Sequence, residues 1–261
     1  MCVSRRVHRA DGRGSAHGLS RAGTRVLLLS YRDQPFLFQN GANDLVSTKR
    51  SGDTVVLSMT PQYLHTIKLV GDVKPGRDAL INQQMKLALE RVAFLPFGKL
   101  IDQWRWKVFS GEVTPANYTE AWWQLRGSTR AWRRRCRALE ADFDPGAKAH
   151  IPGNIPYTRY FLSFILQFQF HRALCHGRGF SRPAARVLEL RQRRSGQKFA
   201  AMLAVGESRP WQETLQKLTG TRDMDASAIV EYFAPLQEWL KEKNQGQKCG
   251  WTPEGLIRSN F

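Results

Sequence analysis

The 261-residue chain has no apolar run approaching the roughly 18 residues that a membrane-spanning helix needs. Its opening stretch, "MCVSRRVHRADGRGSAHG", also lacks the apolar segment of about 7–15 residues that a secretory signal carries. As written, the chain is expected to stay in the cytosol and to hold no membrane segment. Cysteine is scarce: Cys2, Cys136, Cys175 and Cys249 show neither CxxC nor Cys/His metal spacing, so thiols rather than a zinc knuckle are expected. Strand alternation, a fixed-period repeat and a glycine-rich phosphate loop are missing too, which excludes sheet-built nucleotide folds and solenoids.

Acidic residues are outnumbered, 22 Asp and Glu against 40 Lys and Arg, giving a net charge of +18 and a pI near 10.4. That charge is local. Residues 1–34 hold seven Arg and two Asp, 126–140 six Arg and one Glu, and 172–194 seven Arg and one Glu, so the body of the chain is nearly neutral. Arginine clusters bind phosphates with steep salt dependence whatever their origin, and "RAWRRRCR" has the arginine and aromatic content of an RNA-binding or nuclear-targeting segment. Weak, non-specific nucleic-acid binding is one reading of these patches.

What is present is apolar spacing of helical period. In "DALINQQMKLALERVAF", Ile81, Met85, Ala88, Leu89 and Val92 recur at three- and four-residue steps behind Asp78, predicting a helix over 78–94 that Pro96 and Gly98 interrupt. "KLIDQWRWKVF" follows at once. Pro156 opens a second helix to Cys175, with Tyr160, Phe161, Phe164, Phe168 and His171 on helical steps. "DASAIVEYF" and "PLQEWLKEKN" predict two further helical pieces, capped by Asp225 or Ser227 and joined at Pro235. The fold class is all-α. Residues 1–24, rich in Arg, Gly and Ser, read as irregular.

"QPFLFQNGAN", "ERVAFLPFGKLIDQWRWKVFSGEVTPANYTEAWWQLR", "DFDPGAKAHIPGNIPYTRYFLSFILQFQFHRALC" and "SRPWQETLQKLTG" together resemble the later part of an angiotensin-converting-enzyme catalytic domain. The resemblance is collinear over roughly 33–126, 141–175 and 196–251. It divides the chain into a divergent segment, 1–32, and a partial catalytic domain, 33–261, divergent at 127–140 and 176–195. It implies a mostly helical zinc peptidyl-dipeptidase, with chloride as a second cofactor and peptide C-termini as substrate.

The zinc machinery of that family has no counterpart here. Its His-Glu-x-x-His helix uses two imidazoles four residues apart on one helix face, with a glutamate reaching the zinc-bound water. At the corresponding place this chain reads "SAHGLSRAGTRVLLLS": His17 is there, but no Glu follows it and no second His lies four residues on. Past "GAN" it reads "DLVSTKRSGD", with no third-ligand glutamate. No metal ligand is therefore assigned, zinc is expected to be absent, and the chain is expected to be inactive as a peptidyl-dipeptidase. An active peptidyl-dipeptidase in a longer or in-frame isoform remains the alternative. The breaks coincide with the arginine patches, the pattern of a GC-rich coding sequence read out of frame.

The resemblance implies that Lys148 and Tyr157 hold a substrate's C-terminal carboxylate, that His150 and Tyr160 contact its backbone and oxyanion, and that Phe94, Phe97 and Phe164 line the pocket. Arg159 matches one chloride ligand, and Trp122 with Arg126 a second chloride site. These are inherited contacts, not expected to turn substrate over. Asp53 matches an acid that would support a ligand histidine, and Arg172 stands where the family has glutamate. Cys175 matches a cysteine that the family pairs in a disulfide. Without the family, His150 and His171 read as ordinary histidines and Tyr157 and Tyr160 as core. His171 and Cys175, four apart beside His176, are too few to make a replacement metal site. Asn117-Tyr-Thr is a glycosylation sequon.

Overall fold

A computed structural model of the protein describes residues 26–39, 51–72, 76–130, 139–176 and 193–247. His17, the stretch 40–50, Cys2, Cys136, Cys249 and the arginine-rich cores 131–138 and 177–192 lie outside the described residues. Among the described residues there is no strand: the fold is all-α. Nor is any described helix long and apolar enough to cross a membrane.

After a helical turn over 26–30 come α1 (Ser51–Val56), α2 (Pro61–Thr66), α3 (Arg77–Arg91), α4 (Leu95–Phe109) and α5 (Tyr118–Arg130). Next are α6 (Thr158–His176), α7 (Arg193–Leu203), α8 (Trp211–Thr219) and α9 (Ser227–Lys243). The chain divides into two compact units, one built from residues 1–77 and 162–234, the other from 78–161 and 235–261.

In the first unit, Leu27 and Tyr31 pack with Leu166, Phe170 and Leu174 of α6, Met202 and Leu203 of α7, and Leu215 and Leu218 of α8. Gly206 has φ +56°, a left-handed conformation that a side chain resists, and a Cβ there would meet Tyr31 Cβ at 3.1 Å. Glycine thus lets the turn after α7 close on Tyr31. The second core joins Leu100, Ile101 and Trp104 of α4, Val113 in the connection after it, Ala121 and Trp122 of α5, and Tyr157.

Most expected helices form, with shifted limits. Pro96 falls in the first turn of α4, where its missing N–H has no intrahelical partner to lose, so it starts a helix rather than ending one. Gly98 lies inside α4, where an added Cβ would come within 2.8 Å of Phe94 Cε1. Pro235, expected at a joint between two pieces, lies inside one continuous α9. Beside it, the Leu236 N–H donates to Gln84 Oε1 at 3.1 Å, a side-chain acceptor where proline interrupts the ladder. Of the arginine-rich patches, Arg126 is in α5, Arg172 in α6 and Arg193 at the start of α7. Thr60 caps α2 by accepting the Tyr63 N–H at 3.2 Å, with Pro61 in the first turn.

Candidate functional site

The second unit gathers Lys148, His150, Tyr157 and Tyr160 within one cluster. Its frame is α4. On that helix Asp102 and Arg105 are one turn apart, and both are buried, at 4% and 7% exposure, among Leu100, Ile101 and Trp104. Charges so placed survive only if fully bonded. Asp102 Oδ1 accepts Arg105 Nε at 3.0 Å and Nη2 at 2.6 Å. Asp102 Oδ2 accepts the backbone N–H groups of Tyr157 at 2.8 Å and Thr158 at 2.6 Å. The carboxylate thereby caps α6, whose first amides have no partner within the helix. Burial pushes the Asp102 carboxyl up, but the Thr158 N–H, the Arg105 guanidinium and the Tyr157 N–H outweigh it, and the net shift is downward.

Arg105 completes the frame from the other side. Its Nη2 donates to the Ile155 carbonyl at 2.7 Å and its Nη1 to the His150 carbonyl at 3.3 Å. The turn between those carbonyls is closed by Ile151 N–H to Lys148 O at 2.8 Å and Ile155 N–H to His150 O at 2.9 Å. Asn154 takes a left-handed φ of +50°, which asparagine tolerates better than most residues.

Held this way, His150 Nε2 lies 3.2 Å from Tyr160 Oη, and the His150 ring meets Tyr157 edge-on at 4.8 Å and Tyr160 at 5.5 Å. Lys148 Nζ sits 4.9 Å from the Tyr157 ring centre and 5.8 Å from that of Phe97. Phe94 and Phe97 pack on each other and on Tyr157. The result is an ammonium, an imidazole and two phenols converging over an aromatic floor. Such a set can hold a carboxylate by charge and a peptide carbonyl by hydrogen bonds.

Beside it, the Arg126 guanidinium lies over Trp123 at 5.1 Å, Phe97 at 5.7 Å and Trp122 at 5.8 Å. Trp122 is buried, and Trp123 Nε1 donates to Asp144 Oδ2 at 2.5 Å. Glu140 anchors the N-terminus of α5, accepting Thr119 N–H at 2.8 Å and Glu120 N–H at 2.9 Å. Arg159 is half-buried in the first turn of α6. Asn117, half-exposed before α5, accepts the Thr114 N–H through its Oδ1 at 2.8 Å.

Phe164 belongs to the first unit and is buried at 4% exposure. The same unit buries His171, whose two ring nitrogens stand 3.9 and 3.8 Å from the Cys175 thiol and whose ring meets Tyr232 edge-on. Desolvation lowers the His171 pKa to about 4. Asp53 is buried in this unit as well.

The sequence reading missed Asp102 and Arg105, the residues that hold the cluster together. Their signal was present: two opposite charges three residues apart on the buried face of "LIDQWRW". The first glutamate of the chain is Glu90, and among the described residues no three His, Cys, Asp or Glu side chains converge as a metal would require.

The peptidase family model described as angiotensin-converting enzyme matches residues 19–251, starting upstream of the quoted resemblance and spanning the arginine-rich stretches 126–140 and 172–194. Angiotensin-converting enzyme of Mesocricetus auratus is 42% identical over 226 residues, covering 85% of this chain and 17% of that protein. The Theromyzon tessulatum enzyme is 40% identical over 224 residues, with 85% and 36% covered. The angiotensin-converting enzyme-like protein Ace3 of Mus musculus is 36% identical over 226 residues, with 85% and 30% covered. The chain thus spans between about a sixth and about a third of these relatives.

Proposed function

Because the chain belongs to the angiotensin-converting enzyme family of peptidases, we propose that it recognises peptide C-termini without hydrolysing them. The observation that carries this reading is the convergence of Lys148, His150, Tyr157 and Tyr160, with His150 Nε2 3.2 Å from Tyr160 Oη and Lys148 above the Tyr157 ring.

In this reading the Lys148 ammonium pairs with the terminal carboxylate, and the Tyr157 hydroxyl donates to the same group. His150 and Tyr160 donate to the carbonyl one residue inward, and Phe94 and Phe97 take apolar side chains. Hydrolysis needs a further element, a water made nucleophilic by a metal or a general base. The family supplies it with zinc, whose chemistry is to lower the pKa of a bound water. The ligand sequence for that metal is absent from this chain, so the donors polarise a carbonyl that nothing attacks. Arg126 with Trp122, and Arg159, are proposed as anion contacts taking chloride, and Asn117 as a glycan acceptor.

The experiment compares acetyl-Ala-Phe-Leu with its C-terminal amide on the full chain, by isothermal titration and by chromatography for released dipeptide. The reading expects binding of the free acid at least about tenfold tighter than the amide, less than a tenth of an equivalent of zinc, and no dipeptide. Equal affinity for acid and amide overturns the recognition. Stoichiometric zinc with turnover restores the enzyme. Binding of single-stranded RNA that collapses with salt, alongside acid and amide of equal affinity, favours the arginine patches as the working surface instead.

A further inference from the structure

The groups that would meet a peptide terminus sit on two different pieces of backbone. Lys148 and His150 are on the turn before α6, and Tyr157 and Tyr160 are at its beginning. A turn closed only by its own hydrogen bonds has no reason to keep a fixed distance from a helix end. The two pieces must be tied, and the tie is visible.

One carboxylate does it. Asp102 divides its oxygens, giving Oδ2 to the first amides of α6 and Oδ1 to Arg105. Arg105 in turn spends Nη2 and Nη1 on the Ile155 and His150 carbonyls, at the two ends of the turn. Four backbone groups between residues 150 and 158 are therefore held by a single pair on α4, some 45 to 56 residues earlier in the chain. The guanidinium is planar and its donors are fixed relative to one another, so the two carbonyls it reaches cannot drift independently. We infer that Asp102 and Arg105 are positioning residues for peptide recognition, a latch that registers the Lys148–His150 turn against the Tyr157–Tyr160 helix end.

The inference rests on the recognition reading above, because it assigns the latch a purpose in that site. A buried pair is also a structural element, and breaking it by removing one charge leaves the other stranded. The latch differs from a merely structural pair in what it controls. Loosening it should change ligand discrimination and the His150–Tyr160 contact more than it changes the cooperativity of unfolding.

Two variants separate these. Arg105→Lys keeps the charge, the Asp102 bonds to α6 and the fold, while losing the fork that grips two carbonyls. Asp102→Asn with Arg105→Met removes both charges together, so no buried ion is left unpaired. Each is read by acid-versus-amide discrimination with acetyl-Ala-Phe-Leu, by the NMR signals of the His150 ring, and by thermal unfolding. Discrimination is expected to fall about threefold or more in Arg105→Lys and to below threefold overall in the double variant. The His150 ring signals should shift in both, while unfolding stays cooperative. Unchanged discrimination together with unchanged His150 signals overturns the latch. If the wild-type chain itself does not tell acid from amide, the recognition reading fails, and the latch is then judged on the His150 signals alone. Signals that move in Arg105→Lys support it, and signals that stay put overturn it.

Discussion

Arg172 donates through Nη2 to the Asp225 carboxylate, which also accepts the Ser227 N–H at 2.7 Å and the Ser227 hydroxyl at 2.5 Å. Arg172 Nη1 reaches Ser227 Oγ at 2.7 Å and Glu231 at 3.5 Å. Arginine at a place where the family resemblance implies glutamate is thus neutralised by two acids, and it fastens the start of α9 to α6. Reversing it with Arg172→Glu faces a carboxylate with two others. The expected loss is about 1–2 kcal/mol, several degrees in Tm, because the pair is partly exposed and only modestly coupled. Circular dichroism melts at pH 7 measure it, and an unchanged Tm would mean the network carries no stability.

The same carboxylate predicts acid behaviour. Hydrogen bonds from the Ser227 hydroxyl and N–H, then from Arg172, hold the Asp225 pKa down at about 2. A carboxyl depressed in the folded state adds stability that is complete above its ordinary value near 4 and is lost as pH falls through about 2. Asp225→Asn should therefore lower stability at pH 7 and flatten the decline between about pH 4 and 2. A parallel decline in variant and wild type would count against the assignment.

His171 titrates in a different window. Its pKa is lowered from 6.5 to about 4 because the ring is desolvated beside Cys175 and Tyr232, whose hydroxyl burial pushes upward. The unfolded chain takes up a proton on this histidine below about 6.5 and the folded chain does not until about 4. Stability is full above 6.5 and falls as pH drops to 4, by on the order of 3 kcal/mol for a shift of this size. His171→Phe keeps a ring in the aromatic cluster and abolishes the titration. Denaturant melts across pH 4 to 7 should lose most of this slope in the variant, and identical slopes would refute the desolvation account.

The fold was legible wherever apolar residues repeat at helical steps, as in α3 and α6, since burial sets that period directly. Proline was harder to place. Pro96 and Pro235 both read as breaks, because sequence shows the missing N–H but not that Pro96 falls in a first turn, nor that Gln84 takes up the Leu236 N–H beside Pro235. Of the site, Lys148, His150, Tyr157 and Tyr160 came from resemblance rather than from periodicity. Asp102 and Arg105 were passed over, because their partners are backbone groups 45 to 56 residues away, a relation that no local pattern encodes.

Gly98 bears on the aromatic floor. A Cβ there meets Phe94 Cε1 at 2.8 Å and Phe161 Cβ at 3.4 Å, so Gly98→Ala must push the Phe94 ring aside. Alanine gains about 1 kcal/mol in helix propensity, and crowding costs about 1–3 kcal/mol, which leaves a small net loss of stability. The larger effect should fall on the floor itself, since Phe94 packs against both Phe97 and Tyr157. Affinity for a peptide with a bulky apolar C-terminal residue should drop more than affinity for one ending in alanine. Equal losses for the two peptides would separate Phe94 from side-chain recognition.

Tyr160 and Lys148 divide the recognition chemistry in a way that two variants resolve. Tyr160→Phe deletes the hydroxyl 3.2 Å from His150 Nε2 but keeps the ring tilted against Tyr157 at 4.8 Å. A single neutral hydrogen bond is worth about 0.5–1.5 kcal/mol, so acid and amide peptides should both weaken a few-fold and their ratio should hold. Lys148→Ala instead removes the ammonium proposed to pair with the terminal carboxylate, and bonds to charged groups are worth about 1.5–3 kcal/mol. Acid binding should fall tenfold or more while amide binding scarcely changes. In an enzyme that used Tyr160 to stabilise an oxyanion, Tyr160→Phe would depress turnover far more than binding. Here it should alter binding alone, with peptide cleavage at background in the wild type and in both variants.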